Sequence, residues 1–466
     1  MKKKVRKTKV QSIERYLVVV ISMACLLSSA ATGEDFNPCC SFPCQHRSIC
    51  VMLSNQAYVC DCTNTGFYGN NCDIRTLLHR EFTIKDIAVD LSSIYGETAE
   101  KRKQLRSLTG GKFKMQVING EEWPVLIKDA LIETEYPPGY PEERKFALGH
   151  PFYALLPGLF VWSTIWMREH NRVCDILKEE HTDWDDERLY QTARLILVGE
   201  TIKIVIEDYV QHLSQYKFKL KFNPELLFDV PYQYQNRIAV EFNHLYHWHP
   251  LLPESFNISG QTYPMKSYMF NSQLAVDHGM YAVIDSMSRQ PAGRMSHHNH
   301  GPSTLHIAVA TLKHGRLLRL QPFNEYRKRF GLRPYGSFEE LTGEQEMAAE
   351  LRELYGEVDA LEFSLGLMLE KARAAAMFGS TIIEMGGPFS VKGLMSSPVC
   401  SPGYWKPSTF GGDRAFDVIK MASLRRLVCS NIRGPCPFVS FRVPDDVANA
   451  VTRQEKSTRD GCREEL

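Results

Sequence analysis

From about residue 90 to 440, apolar side chains recur every three or four positions, the spacing that gathers them on one face of a helix. The clearest run lies within 186–213. There Ile202, Val205, Ile206, Tyr209, Val210 and Leu213 stand at i, i+3, i+4, i+7, i+8 and i+11, opposite Lys203, Glu207, Asp208 and Gln211. Asp185 and Asp186 sit where a helix start is stabilised by carboxylates. A second run, 344–371, carries Met347, Leu351, Leu354, Leu361, Leu365 and Leu369 as its stripe. No series of alternating runs at strand length accompanies them, so the pattern predicts a mainly α protein without a large sheet.

The N-terminal 33 residues follow another logic. Seven Lys/Arg against Glu14 give them a charge of +6, followed by twelve mostly apolar residues, Tyr16 to Leu27, and then small ones. Twelve helical residues span about 18 Å, short of a hydrocarbon core of about 30 Å, so residues 1–33 read as a secretory signal peptide rather than an anchor. The whole chain of 466 residues carries +1, which leaves −5 beyond the signal and no basic footprint for nucleic acid. Seven of the thirteen cysteines fall between Cys39 and Cys72. In a secreted chain that density is a disulfide framework, with zinc as the alternative. Seven is odd, and Cys40 is left without an obvious partner. Residues 74–89 form a linker whose Ile74, Leu77, Leu78 and Phe82 suit a docking segment or a membrane contact. Residues 445–466 are a polar tail ending Arg463-Glu464-Glu465-Leu466, loosely an endoplasmic-reticulum retrieval signal. Asn257-Ile258-Ser259 is a glycosylation sequon.

Candidate chemistry concentrates at Tyr246-His247-Trp248-His249-Pro250. Residues three apart share a helix face, which pairs Tyr246 with His249 and turns His247 and Trp248 elsewhere. Pro250 ends the helix near His249. The pentapeptide alone leaves three readings: aromatic core, a metal site, or a metal ligand beside a redox-active phenol. The histidines of Ser296 to Gly301 are open to a metal or a solvated loop, and no carboxylate or cysteine joins them.

Longer stretches carry a resemblance. Trp166 to Cys174 (WMREHNRVC), Gly199 to Ser214, Asn236 to Pro253, Phe323 to Phe330, Gly386 to Gly393 (GGPFSVKG) and Trp405 to Gly412 are similar to the prostaglandin-endoperoxide synthases, or cyclooxygenases, within the animal haem peroxidases. The Cys-rich head, 37–73, resembles an epidermal-growth-factor-like module, which implies pairs Cys39–Cys50, Cys44–Cys60 and Cys62–Cys72, with a further loop Cys429–Cys436. The resemblance implies a large helical haem-peroxidase-like catalytic domain over 90–444 and one haem b per subunit. It also implies a homodimer in the endoplasmic-reticulum lumen, membrane-associated, acting on a polyunsaturated fatty acid and O2.

Carried over by position, Tyr246 is the tyrosyl radical that takes a hydrogen from the fatty acid. His249 is the axial ligand of the haem iron. Phe242, Leu245 and Trp248 line the fatty-acid channel, with Tyr209, Val210, Leu213 and Ser214 as a second wall. Tyr216 helps bind the carboxylate, Ser390 is the acylatable serine, and Ile383 stands at the side pocket. The expected reaction is oxygenation of an arachidonate-like acid to prostaglandin G2, then peroxidase reduction to prostaglandin H2.

The chain also departs from the family. Between Cys72 and Val89 it lacks the stretch that carries the membrane-binding helices, a carboxylate-pairing arginine, a cysteine partner for the head, and the distal glutamine and histidine. Losing the distal acid–base group predicts peroxidase turnover as the property most impaired, since such a group is worth about 10²–10⁴-fold. Ser364 stands where a second redox-active tyrosine is expected. The alternatives are a non-catalytic partner subunit and an adhesion protein that uses only the Cys-rich head.

Overall fold

The computed structural model describes residues 91–450 except 133–135, 137, 214–218, 229–238, 297–298 and 374–375, together with 49–54, 57–61, 67–68, 71 and 74–75. The expected signal peptide, most of the Cys-rich head with its three pairings, Ser214, Tyr216 and the tail from 451 lie outside the described residues. The chain divides into two compact units, Met1–Lys85 and Asp86–Leu466. In the first, β1 (Ile49–Ser54) pairs antiparallel with β2 (Ala57–Asp61), and β3 (Phe67–Tyr68) with β4 (Ile74–Arg75). Cys60 is disulfide-bonded there.

The second unit is helical. Its strands among the described residues make only two hairpins, β5 (Met115–Ile118) with β6 (Glu121–Pro124), and β7 (Ser255–Ile258) with β8 (Gln261–Pro264). In chain order the helices that build the core are α1 (Pro157–Glu180), α2 (Asp186–Ile204), α3 (Val240–Leu245), α4 (Ser272–His278) and α5 (Met280–Arg289). They continue with α6 (Leu305–Leu317), α7 (Phe323–Arg329), α8 (Gln345–Tyr355), α9 (Phe363–Leu369), α10 (Ser380–Met395), α11 (Asp413–Lys420) and α12 (Leu424–Asn431). No helix among the described residues is long and apolar enough to cross a membrane.

Three apolar clusters hold these elements. The first joins α1, α2 and α11 through Cys174, Leu177, Ile196, Ile202, Phe416 and Ile419. The second lies on the other side of α1, with Phe160, Ile165, Val283 and Val428. The third packs Leu245, Phe323, Phe363, Leu367, Ile382 and Met385 from α3, α7, α9 and α10. Gly366 makes that third junction possible, because a Cβ there would lie 2.2 Å from the Phe323 ring.

The Asp185 side chain accepts the Arg188 N–H and starts α2 as predicted. The predicted single helix through Leu213 does not persist. The α-helix ends at Ile204 and continues as a π-turn, Val205–Val210, before a last turn, Gln211–Leu213. Two carboxylates from the expected solvent face bind distant backbone: Glu207 accepts the Phe222 N–H at 2.8 Å and Asp208 the Leu424 N–H at 2.6 Å. Gln211, expected outside, is buried and accepts the Leu220 N–H at 2.7 Å. The second predicted run also divides. Gly356, at φ +74°, ends α8, a 3₁₀ turn Val358–Ala360 follows, and α9 begins at Phe363. Leu354 therefore points to solvent, 75% exposed, instead of joining the stripe.

Candidate active site

Helix α3 delivers the chemistry but stops earlier than the sequence predicts. Tyr246 is its C-terminal cap, at φ −90° and ψ 6°, and the Trp248 N–H turns back to the Tyr246 carbonyl at 2.9 Å. His249 opens a 3₁₀ turn, His249–Leu251, with Pro250 inside it. Tyr246 and His249 consequently do not share a helix face. The chain pairs alternate residues instead: the Tyr246 ring stacks on Trp248 with centroids 4.2 Å apart, and the His247 ring lies 5.6 Å from His249.

The phenol pair meets the end of α2. The Tyr246 hydroxyl donates to the Tyr209 hydroxyl oxygen at 2.9 Å, and Phe242 lies 5.2 Å from the Tyr246 ring. Burial pushes both phenols above their ordinary value, so both stay protonated at neutral pH. Trp248 donates its indole N–H to the Leu245 carbonyl at 2.6 Å and tilts against Phe378. Helix α10 supplies the facing wall. A Cβ at Gly386 would lie 3.3 Å from Leu245, and Phe389 lies 5.8 Å from Phe242.

Leu213, Phe242, Trp248 and Ile383 all pack against the third cluster, of which Leu245 is a buried member. Ser390 is half-buried on α10 directly after Phe389, and Val210 is half-buried in the π-turn. The fold thus brings Tyr209, Phe242 and Trp248 to Tyr246, which remains 40% exposed, while Leu213, Leu245 and Ile383 meet in the third cluster.

The imidazole pair faces α6. His247 Nδ1 lies 3.2 Å from the Thr311 hydroxyl. The His249 imidazole makes no hydrogen bond among the described residues, although its backbone carbonyl accepts the Leu252 N–H at 3.0 Å. Burial first, then the imidazoles of His247, His300 and His306, hold its pKa down to about 4. It is thus a neutral imidazole with a lone pair to offer, the form that binds haem iron. No group of three or more His, Cys, Asp or Glu able to hold a metal ion occurs among the described residues, and His300 hydrogen-bonds Thr304 instead.

Sequence reasoning missed one network here. His244 is buried, with Nδ1 2.7 Å from the Ser364 hydroxyl and Nε2 2.9 Å from His314 Nδ1. The unexpected serine at 364 was the available signal. A polar cleft of about 790 Å³ lies elsewhere, lined by Lys112, Glu121, Arg168 and Arg433 among others, and none of the predicted site residues borders it.

Residues 87–387 match the animal haem peroxidase family. The chain is 59% identical over 358 residues to prostaglandin G/H synthase 1 of Mus musculus, covering 77% of this chain and 59% of that protein. It thus spans well under two thirds of that relative's length. To prostaglandin G/H synthase 2 of Equus caballus it is 40% identical over 588 residues, covering 95% of this chain and 97% of that one. That alignment is longer than the chain itself, so the horse protein has a long stretch with no counterpart here. Among solved structures, the fatty acid alpha-dioxygenase of Oryza sativa superposes with a TM-score of 0.60 at 19% identity, over 73% of this chain and 63% of that one, which is a likeness of fold. The chain belongs to the animal haem peroxidases and, within them, to the prostaglandin G/H synthases.

Proposed function

We propose that the chain is a haem-dependent fatty-acid dioxygenase in which Tyr246 takes a bis-allylic hydrogen from a polyunsaturated acid. The product expected is prostaglandin G2, with reduction to prostaglandin H2 as a weaker second activity. One observation carries the reading: the backbone at 246–249 presents a hydrogen-bonded phenol with one pair of rings and a neutral imidazole with the other.

His249 is the residue fitted to hold haem b, because its ring is uncharged and its nitrogens are not spent on hydrogen bonds among the described residues. When bound, haem supplies the one-electron oxidising equivalent that no ordinary side chain provides. The chain's residues do the rest. Tyr209 accepts the Tyr246 O–H and fixes the direction of that oxygen. Burial keeps the phenol protonated, so its oxidation must remove a proton with the electron. Phe242, Leu245, Trp248 and Ile383 form an apolar wall suited to an acyl chain, and Leu213 extends it from α2. Val210, Ser214, Tyr216 and Ser390 complete the proposed substrate site.

The remaining expectations belong to the same reading: a growth-factor-like head with three disulfides, a homodimer, glycosylation at the exposed Asn257, and residence in the endoplasmic-reticulum lumen at its membrane. A second reading, a non-catalytic partner subunit, draws on the 40% exposure of Tyr246 and on the stretch present in relatives but absent here.

Haem titration followed by optical absorption tests the proposal. The wild type should produce a shifted Soret band that saturates, and His249→Ala should not. Identical spectra for the two proteins would sink the assignment of His249.

A further inference from the structure

The polar cleft of about 790 Å³ lies apart from the phenol and imidazole pairs, and the dioxygenase reading gives it no role. Helix α1 lines it with Arg168 and Arg172, one turn apart on the same helix face. The loop closed by the Cys429–Cys436 disulfide brings Arg433 to it, and Lys114 joins them from just before β5.

These cations are held in different ways. Arg168 is buried, with a side chain 6% exposed. The Glu122 carbonyl accepts its Nε at 2.7 Å and also its Nη2, and the Asn431 carbonyl accepts Nη1 at 2.9 Å. Its carboxylate partner, Glu121, stands 3.2 Å away and also takes the Met280 N–H. A buried guanidinium with one long ion pair is short of negative charge. Arg172 gives Nε and Nη2 to the buried Glu169, at 2.8 and 2.5 Å. That two-point contact uses one edge of the guanidinium and fixes its plane. Nη1 makes no hydrogen bond among the described residues, so the other edge is left for a ligand of the cleft. The Arg433 and Lys114 side chains have no hydrogen bond or ion pair among the described residues, and Arg433 is exposed.

The acidic residues of the cleft divide in the same manner. Glu121 is committed to Arg168 and Met280, and Asp175 to Lys112 at 2.5 Å. Glu122 and Asp129 are exposed, and their carboxylates meet no partner among the described residues. A guanidinium floor is thus joined to a rim of free carboxylates. A ligand suited to both carries a multiply charged oxyanion at one end and hydroxyl donors at the other. Phosphate offers three acceptor oxygens and up to two charges to the guanidinium edges, and the carboxylates accept from hydroxyl groups.

We propose that this cleft binds a phosphate monoester of a polyol, that is, a sugar phosphate. The phosphate lies on the free edge of Arg172 and on Arg433, over the buried charge of Arg168. The sugar hydroxyls donate to Glu122 and Asp129.

Isothermal titration calorimetry on the full chain at low salt tests this with glucose 6-phosphate, inorganic phosphate and glucose. The wild type should bind glucose 6-phosphate saturably, inorganic phosphate more weakly and glucose not at all. Arg433→Gln should weaken glucose 6-phosphate about 10-fold, the low end for a lost charge-assisted hydrogen bond because Arg433 is exposed. Glu122→Gln removes a like charge and an acceptor. It should tighten inorganic phosphate and narrow the advantage of the sugar phosphate over it. Arg352→Gln, at an exposed arginine of α8 outside the cleft, should match the wild type. No saturable binding of glucose 6-phosphate, equal binding by Arg433→Gln, or an equal loss in Arg352→Gln would overturn the proposal. So would glucose binding as tightly as its phosphate, or an unchanged ratio of the two phosphates in Glu122→Gln. Capture of the chain by phosphatidylcholine vesicles containing phosphatidate, with no binding of the sugar phosphate, would also overturn it.

Discussion

Glu370 carries more buried contacts than any other carboxylate near the candidate site, and its replacement by glutamine is the sharpest test of how that site is held. The residue is 0% exposed at its side chain. Oε1 receives Arg327 at 2.5 Å, the Ser380 hydroxyl at 2.7 Å, and the Tyr335 and Thr381 hydroxyls at 2.9 Å each. Oε2 receives the Thr381 N–H at 2.8 Å, one of the unpaired donors at the start of α10. Glu370→Gln keeps the shape and removes the charge, so the Arg327 guanidinium is left buried without a counter-ion. Breaking such a pair costs about 3–5 kcal/mol, against a total stability of about 5–15 kcal/mol for a typical domain. Reversible urea unfolding followed by tryptophan fluorescence should show a midpoint lowered by about 1 M or more. Replacing both partners with apolar residues, Arg327→Met with Glu370→Leu, should recover most of the loss, because no lone charge remains. A cost below about 1 kcal/mol for Glu370→Gln, or a double variant as unstable as the two single losses together, would refute the reasoning.

Two further outcomes follow from single contacts. Gly366→Ala sets a methyl group 2.2 Å from the Phe323 ring, too close for either helix to keep its place, and should cost about 1–3 kcal/mol, read as a lower unfolding midpoint with unchanged helical circular dichroism. His170 is fully buried between the Tyr95 hydroxyl and the Gly111 carbonyl, and burial above all holds its pKa down to about 4. The unfolded chain takes up that proton near its ordinary value of 6.5 while the folded chain refuses it. The stabilisation is therefore complete above about pH 6.5 and is lost as pH falls toward about 4. It amounts to about 3 kcal/mol from this residue alone. Urea midpoints at pH 7.5, 6.0 and 4.5 should fall in that order, and equal midpoints would contradict the burial argument.

Much of the fold was legible because it depends on local pattern. Helix α2 starts at the predicted cap, and Ile202 and Ile206 are buried where their spacing places them. The Cys429–Cys436 pair, implied by the resemblance alone, is bonded. The features that could not be read are those set by distant partners. The π-turn is fixed where Glu207 and Asp208 capture backbone N–H groups of Phe222 and Leu424, far along the chain. No periodicity within residues 186–213 encodes those contacts.

The sequence places the helix end near His249, set by Pro250, but α3 ends at Leu245, because the turn at Tyr246 begins before the proline acts. That early end decides the arrangement of the site. It sends Tyr246 and Trp248 one way and His247 and His249 the other, where one helix face would have crowded Tyr246 against His249. The His244 network joins residues 120 and 70 positions apart, so only tertiary structure could reveal it.

The central claim is that Tyr246 is the group that attacks the fatty acid. Oxygen consumption settles it most directly, measured on the haem-reconstituted chain with a polyunsaturated acid and a trace of peroxide, beside Tyr246→Phe. The account predicts uptake by the wild type and none by the variant, with the two haem spectra alike. Equal uptake by both proteins, or no uptake by a wild type that has bound haem, would contradict it.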